Sequence, residues 1–232
     1  MGKKGSPNLK RTAAAEPKCA GGGTPAEKGK RLGDDGKMHI SPKTGLESTW
    51  EIDYEIATVD GVLSAEECSR IVAVAEKMGF GLATSRGPKY GEAIREHGRL
   101  ALDDQVLAQS LWEGVLQDIM KRVEIGDKRA CGLNPMFRIY KYEPGQVFGQ
   151  HYDQSMLVEG KHTEYTLLVY LSGGLTGGET VFYNHRGKEV HATSPRVGRS
   201  LLHRHGAACL LHEARPVSKG TKYVLRSDVV FS

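Results

Sequence analysis

Cysteine is scarce in this chain. The four in 232 residues (Cys19, Cys68, Cys131 and Cys209) stand far apart, with no CxxC pair. That fits reduced thiols better than a disulfide framework. Long apolar runs are missing as well: nothing approaches the roughly 18 consecutive apolar residues that a membrane-spanning helix needs. The basic opening MGKKGSPNLKR has no apolar segment behind it, so no secretory signal is expected and the expected compartment is the cytoplasm or nucleus. There is no internal repeat. What remains is a chain with 39% hydrophobic and 26% charged residues, long enough for one substantial domain with a core and a tail.

Charge is unevenly spread. Residues 1–48 carry a net charge of +5 and the remaining 184 a net of −1. The first segment is rich in Gly, Pro, Lys and Ala and has almost no aromatics, so it is expected to be a disordered basic tail that cannot bury enough surface to order itself. It lacks the dense basic run interleaved with aromatics that marks a nucleic-acid binder, and acidic partners remain the other reading of its charge. MGKKGS formally fits an N-myristoylation pattern at Gly2, but a basic disordered start explains it as well.

Order is expected from about Trp50. WEIDYEIATV (50–59) has strand-like composition and ends in an Asp60-Gly61 turn. Ser64-Ala-Glu-Glu67 forms a capping box, and Cys68, Ile71, Val72, Ala75 and Met78 follow at helical spacing, predicting a helix that ends near Gly79. Residues 79–99, rich in glycine and charge, read as a loop or lid. Asp103 and Asp104 cap a second helix over 104–123. From 135 the pattern changes to strands, at 136–142, 147–153, 165–172, 180–184, 199–205, 207–213 and 222–231, most of them separated by turn signals. Two helices followed by many short strands suggest a mainly β fold, a sandwich or jelly roll braced by helices. The boundaries expected are a tail over 1–48, a helical support region over 49–134 and a β core over 135–232.

FGQHYDQSM (148–156) holds the first chemical signal. An HxD triplet arises about 0.4 times by chance at this composition, so alone it is weak. On a strand, however, His151 and Asp153 share one face. A second histidine would complete two histidines and a carboxylate, a set that suits Fe(II) and leaves positions open for substrate and oxygen. His203, His205 and His212 compete for that place. Lys222, ten residues beyond His212, heads a strand on which Val224, Arg226 and Asp228 share its face. An inward lysine there would hold a carboxylate cosubstrate.

Three segments, YKYEPGQVFGQHYD, YTLLVYLSGGLTGGETVFY and LLHEARPVSKGTKYVLRSDVVF, occur in this order between Phe137 and Phe231. With the helix LSAEECSRIVAVAEKMGF, they resemble the Fe(II)/2-oxoglutarate-dependent dioxygenases, specifically the prolyl 4-hydroxylase-like branch, over about 180 residues. The resemblance implies a double-stranded β-helix (a jelly roll, cupin-like core) with Fe(II), 2-oxoglutarate and O2 as its cofactors and L-ascorbate as a further reductant. It implies His151, Asp153 and His212 as iron ligands, and Lys222, Tyr142 and Thr166 as the holders of the 2-oxoglutarate carboxylate. An aspartate at 153 implies hydroxylation rather than halogenation. Relatives carry a tyrosine where this chain has Phe148, and the hydroxylases of proline-rich peptides carry an arginine where it has Thr163. Both positions, with Arg95, His97 and Arg99, are candidates for the substrate side. The expected function is oxidation of a C–H bond in a peptidyl or protein residue, proline foremost. The alternatives are the same chemistry on a free amino acid or small metabolite, and a non-catalytic binding module. No membrane partner is implied.

Overall fold

The computed structural model describes residue 32 and residues 38–52, 55–85 and 87–232. The expectations for residues 1–31, Gly2 included, lie outside the described residues. The last part of the expected tail is packed: Leu32, Met38 and Ile40 are buried in the main core. Polar contacts hold the same stretch. The Leu32 backbone N–H donates to Asp104 Oδ2 at 3.0 Å, Ile40 N–H to Ser110 Oγ at 2.8 Å, and Ser41 N–H to Glu67 Oε1 at 2.8 Å. Ordered chain therefore begins before residue 48, because three isolated apolar side chains anchor a segment whose average composition is polar.

Helix α1 (Ala65–Met78) starts at the expected box: Ser64 Oγ accepts from Glu67 N–H, and the Glu67 carboxylate accepts from Ser64 N–H. Gly79 ends it. The expected helix over 104–123 is three pieces in succession: α2 (Gln105–Leu111), a π-helical turn (Trp112–Leu116) and α3 (Gln117–Met120). Asp104 caps α2, accepting from Leu107 N–H at 3.0 Å. The π turn lies where the Gly114 carbonyl accepts instead from Lys43 N–H, at 2.9 Å.

The strands are β1 (Ser48–Glu51), β2 (Ile56–Val59), β3 (Gly81–Ala83), β4 (Arg95–Asp103), β5 (Glu124–Ile125), β6 (Lys128–Leu133), β7 (Met136–Tyr142), β8 (Val147–His151) and β9 (Leu157–Val158). They continue as β10 (Lys161–Tyr170), β11 (Thr176–Gly177), β12 (Thr180–Tyr183), β13 (Glu189–Thr193), β14 (Ser200–Arg204), β15 (Leu211–Ala214), β16 (Val217–Lys219) and β17 (Lys222–Phe231). β7 and β17 fall where the alternation predicts them. The run over 50–59 is a hairpin rather than one strand, and residues 207–213 begin as a 3-10 turn (Gly206–Ala208) before β15. The loop expected over 79–99 is flanked by paired strands: β3 and the first five residues of β4 lie within it, with a 3-10 turn (Pro88–Tyr90) between them.

One antiparallel path runs β1-β2-β14-β10-β17-β7-β4-β8-β15-β12-β13 and curls on itself. β4 makes the curl. Its residues Gly98–Asp103 pair with β7, and its first two residues, Arg95 and Glu96, pair with β8. This strand thus belongs to both layers of the jelly roll. The helices cover one layer over the larger core, which includes Ile71, Leu107, Leu111, Phe137 and Val229. A second cluster, Tyr140, Tyr142, Phe148, Tyr170, Phe182 and Val224 among its members, fills the space between the layers. The polar site opens into that second cluster.

Candidate metal centre and the pockets beside it

β15 pairs with β8 so that His212 stands directly opposite His151. Asp153 lies just past the end of β8, two residues on, and is 6% exposed. Ligand atoms of His151, Asp153 and His212 all lie within 4.8 Å of one another. His151 Nε2 is 3.7 Å from Asp153 Oδ1, and His212 Nε2 is 3.6 Å from Oδ2. Each histidine turns its other nitrogen away: His151 Nδ1 bonds the Gly149 carbonyl at 2.8 Å, and His212 Nδ1 the Leu210 carbonyl at 2.9 Å. These bonds put the Nδ1 protons on backbone carbonyls and leave both Nε2 atoms facing the carboxylate, which is how metal-binding imidazoles are held.

The electrostatics suit a cation. Burial first, and the neighbouring His212 second, push the His151 pKa down to about 3, keeping it in the neutral form that ligates. Burial opposes ionisation of Asp153, yet Arg226 and His212 hold its carboxyl well below the usual carboxylate range. His212 is raised to about 10: burial lowers it, but the contact with Asp153 wins. A divalent cation takes the place of that proton when it binds. Two neutral imidazole nitrogens and a carboxylate oxygen converging from one side fit Fe(II).

Several neighbours set the position of Asp153. Arg226 Nη1 reaches Oδ1 at 2.9 Å, and Thr166 Oγ1 donates to Oδ2 at 2.8 Å. Thr166 also meets His205 Nδ1 at 3.0 Å. Phe148 stacks flat on the His151 ring, with centroids 3.8 Å apart and planes at 6°. His203 is a further polar neighbour, its Nε2 3.6 Å from Asp153 Oδ2 and without a hydrogen-bond partner among the described residues.

Lys222 is 1% exposed. Its ammonium donates to the Gly178 carbonyl at 2.6 Å and lies over the rings of Tyr142 and Tyr170, 5.0 and 5.5 Å from their centroids. Burial pushes its pKa down to about 7, with Glu179 countering only in part. A buried ammonium that makes no ion pair among the described residues is costly alone; it fits the distal carboxylate of 2-oxoglutarate. Gly177 and Gly178, both with φ near +75°, permit this placement. A side chain at Gly177 would strike the Pro216 carbonyl, and a Cβ at Gly178 would lie 3.2 Å from Lys222 Cδ. The GGET turn is thus packed tightly around the lysine. The cleft joining Lys222 to the histidines measures about 30 Å³ and is lined by Tyr142, Leu168 and Thr180 among others. That is near one water's share of the liquid, so entry of a keto acid requires these side chains to move.

The expected set divides as follows. His151, Asp153, His212, Lys222 and Tyr142 come together around this cleft. Thr166 does not line it. Thr166 pairs with Asp228 on β17, six residues beyond Lys222 and so roughly 20 Å along the strand, and it bonds the metal carboxylate instead. Thr163 is fully buried and bonds Met156 N–H through Oγ1 at 2.9 Å; it ties down the segment after Asp153 and does not line the outer cavity. Arg95 and Arg99 do line that cavity, of about 380 Å³, together with Tyr140, Phe148, Arg138 and Arg226. They sit on β4, not on an exposed loop. Arg138, and Arg226 as an Asp153 partner, were not among the expected site residues; His203 and His205, the competitors of His212 in the sequence, lie beside the set, next to Asp153 and Thr166. The face shared by Lys222, Arg226 and Asp228 was the one available signal for Arg226.

A double-stranded β-helix presenting two histidines and an aspartate on facing strands defines the class of mononuclear non-haem iron oxygenases. Comparison with known proteins narrows it. Residues 137–227 match the model of the 2OG-Fe(II) oxygenase superfamily. The chain is 36% identical over 110 residues to probable prolyl 4-hydroxylase 6 of Arabidopsis thaliana, an alignment covering 37% of this chain and 38% of that protein. The chain spans less than half the length of the curated relatives it matches. Its fold is similar to the viral collagen prolyl hydroxylase of Paramecium Bursaria Chlorella virus-1 in its 2OG complex (TM-score 0.53, 20% identity, 76% of this chain and 96% of that one). It is also similar to the Trichoplax adhaerens prolyl hydroxylase in complex with a hypoxia inducible factor oxygen degradation domain peptide fragment (TM-score 0.57, 16% identity, 76% and 83%). Residues 137–227 are thus similar to the 2OG-Fe(II) oxygenase superfamily, and the curated relatives that the chain resembles are prolyl 4-hydroxylases.

Proposed function

We propose that the protein is a dioxygenase that hydroxylates a C–H bond of a peptidyl residue, proline being the first candidate. The observation that carries this reading is the pairing of the His151, Asp153 and His212 set with a buried, uncompensated Lys222 at the other end of one cleft. Bound there, Fe(II) with 2-oxoglutarate and O2 supplies the oxidising chemistry, converting the keto acid to succinate and CO2 as the substrate gains a hydroxyl.

The chain's own residues bind, orient and exclude water. His151, Asp153 and His212 would hold the metal through their converging ligand atoms. Arg226 and Thr166 grip one oxygen each of Asp153, so the carboxylate cannot rotate. Lys222 takes the distal carboxylate of the cosubstrate in a charge-assisted bond, with Tyr142 shielding it. The packed rings of Tyr140, Tyr142, Phe148 and Phe182 keep bulk water from the reacting centre. The outer cavity reaches solvent beside the exposed Tyr152, Gln154 and Ser155, an opening that suits an extended chain. Support for a peptide comes from the relatives: two are prolyl 4-hydroxylases by name, and one similar structure holds a peptide fragment.

The test is succinate formation by the purified chain with Fe(II), 2-oxoglutarate and peptide pools, with His151→Ala as control. Succinate above the control, with a peptide gaining one oxygen by mass, is expected. No succinate above that control with any peptide or metabolite pool overturns the enzyme reading.

A further inference from the structure

The outer cavity has a chemical character that a pocket for proline alone does not call for. Four of its lining side chains are arginines, from three neighbouring strands: Arg95 and Arg99 on β4, Arg138 on β7 and Arg226 on β17. Arg95, His97 and Arg99 alternate along β4 and so share a face. Arg99 stands opposite Tyr140 on β7, and Arg138 stands directly opposite Arg226 on β17. Like charges facing each other across a strand pair are destabilising, so folding alone gives no reason for this arrangement.

Counter-charge falls short. Asp153 is committed to Arg226 and the metal set, and Asp228 lies 3.3 Å from Arg226 and 3.8 Å from Arg138. Glu92 lies on the cavity lining. Arg95 and Arg99 make no ion pair among the described residues; Arg95 lies 5.2 Å from the centre of the Phe148 ring. The Nε atoms of Arg99 and Arg226 are buried without a hydrogen-bond partner among the described residues. Burial first, then the charges of Arg138, Arg95 and Arg226, lower the Arg99 pKa, with Tyr140 acting in the opposite sense. His97, held to about pKa 4 chiefly by burial, adds no charge near neutral pH. The walls between the arginines are Tyr140, Phe148 and Met156. The cavity therefore offers two guanidinium groups, those of Arg95 and Arg99, that make no ion pair among the described residues, beside an apolar wall.

We infer that this cavity receives the acidic part of the substrate, a peptide with an aspartate or glutamate side chain at or next to the hydroxylated residue, held by Arg95, Arg99 and Arg138. The inference rests on the hydroxylase reading for its substrate and on the arginine geometry for its charge. Arg226 links the two: one guanidinium both lines the cavity and touches Asp153 at 2.9 Å. An anion gripped beside it lies near the His151, Asp153 and His212 set, which places the carboxylate at or close to the oxidised residue. Guanidinium forks match carboxylate geometry in two parallel bonds, so recognition is directional as well as attractive. The cavity is concave and of side-chain size, which sets it apart from a basic surface patch that follows nucleic acid.

The test compares equilibrium binding of fluorescently labelled proline peptides to the full chain loaded with Fe(II) and 2-oxoglutarate under nitrogen. One peptide carries aspartate or glutamate beside the proline, and its twin carries asparagine or glutamine. The acidic peptide is expected to bind at least about tenfold more tightly, the size of one charged hydrogen bond. Arg99→Gln and Arg95→Gln are each expected to reduce that ratio toward one while leaving 2-oxoglutarate binding intact, a readout that also reports folding. Equal binding of the twins, or a ratio that both variants leave unchanged, overturns the inference. Binding of a free acidic amino acid while no peptide binds overturns the peptide assignment. Selective binding of the acidic peptide without succinate formation in air leaves the inference standing and sinks the hydroxylase reading.

Discussion

Lys222 is buried against two aromatic rings and a carbonyl, with its pKa brought down to about 7 by burial. Its cost and its use are therefore separable. Lys222→Met is expected to raise the melting temperature in the absence of cosubstrate and to abolish the further rise that 2-oxoglutarate gives the wild type. The sign with pH follows. The unfolded lysine holds its proton to about 10.5 and the folded one only to about 7, so the penalty is full below pH 7 and fades between pH 7 and 10.5. The advantage of the variant should shrink over that window; thermal unfolding of both proteins across it is the check. For the carboxylate, loss of its grip should loosen the metal: Thr166→Val or Arg226→Gln is expected to weaken Fe(II) or Mn(II) binding by about 10- to 100-fold in a calorimetric titration. His151 and Asp153 were legible because residues two apart on a strand share a face. His212 was not separable from His203 and His205 by periodicity, since only the register of β15 against β8 brings it opposite His151. Thr166 and Thr163 were assigned to cosubstrate and substrate by resemblance, whereas their partners here are Asp153 and the backbone of Met156.

At the scale of elements, β7 and β17 could be read from sequence because β-branched and aromatic residues dominate both. β4 could not. The side of Arg-Glu-His-Gly-Arg that carries Arg95, His97 and Arg99 is polar where a core strand is apolar, so a strand serving a pocket looks like a loop. The π turn was equally hidden, and so was the bond its Gly114 carbonyl accepts from Lys43 N–H, some seventy residues earlier. Asp104 joins these distant parts by capping α2 with one carboxylate oxygen and accepting from Leu32 N–H with the other. Asp104→Ala is expected to cost about 2 kcal/mol, the upper range for a cap, because a buried backbone donor is orphaned as well. Chemical denaturation should show a lower midpoint with little change in slope; an unchanged midpoint would mean that neither bond matters to the folded state.

For the whole molecule, Glu67 is the comparable junction, tying α1 to the segment at 41–43 through Ser41 N–H and the Lys43 ammonium. Burial raises its pKa, but the bonds from Lys43, Ser64 and Ser41 outweigh it and leave the value lowered. A lowered carboxylate stabilises the fold above its ordinary pKa and loses that contribution as pH falls through the lowered value. Glu67→Gln should therefore reduce the melting temperature at pH 7, with the gap to wild type closing in acid below about pH 4.5, the ordinary glutamate value. A final consequence concerns β4, which is stitched to one layer by its first two residues and to the other by its last six. Any ligand that Arg95 and Arg99 grasp is pulling on the seam of the whole garment. Occupancy should then be audible far from the cavity, as slower amide exchange along β7 and β8 together, two strands that no small ligand could cover at once.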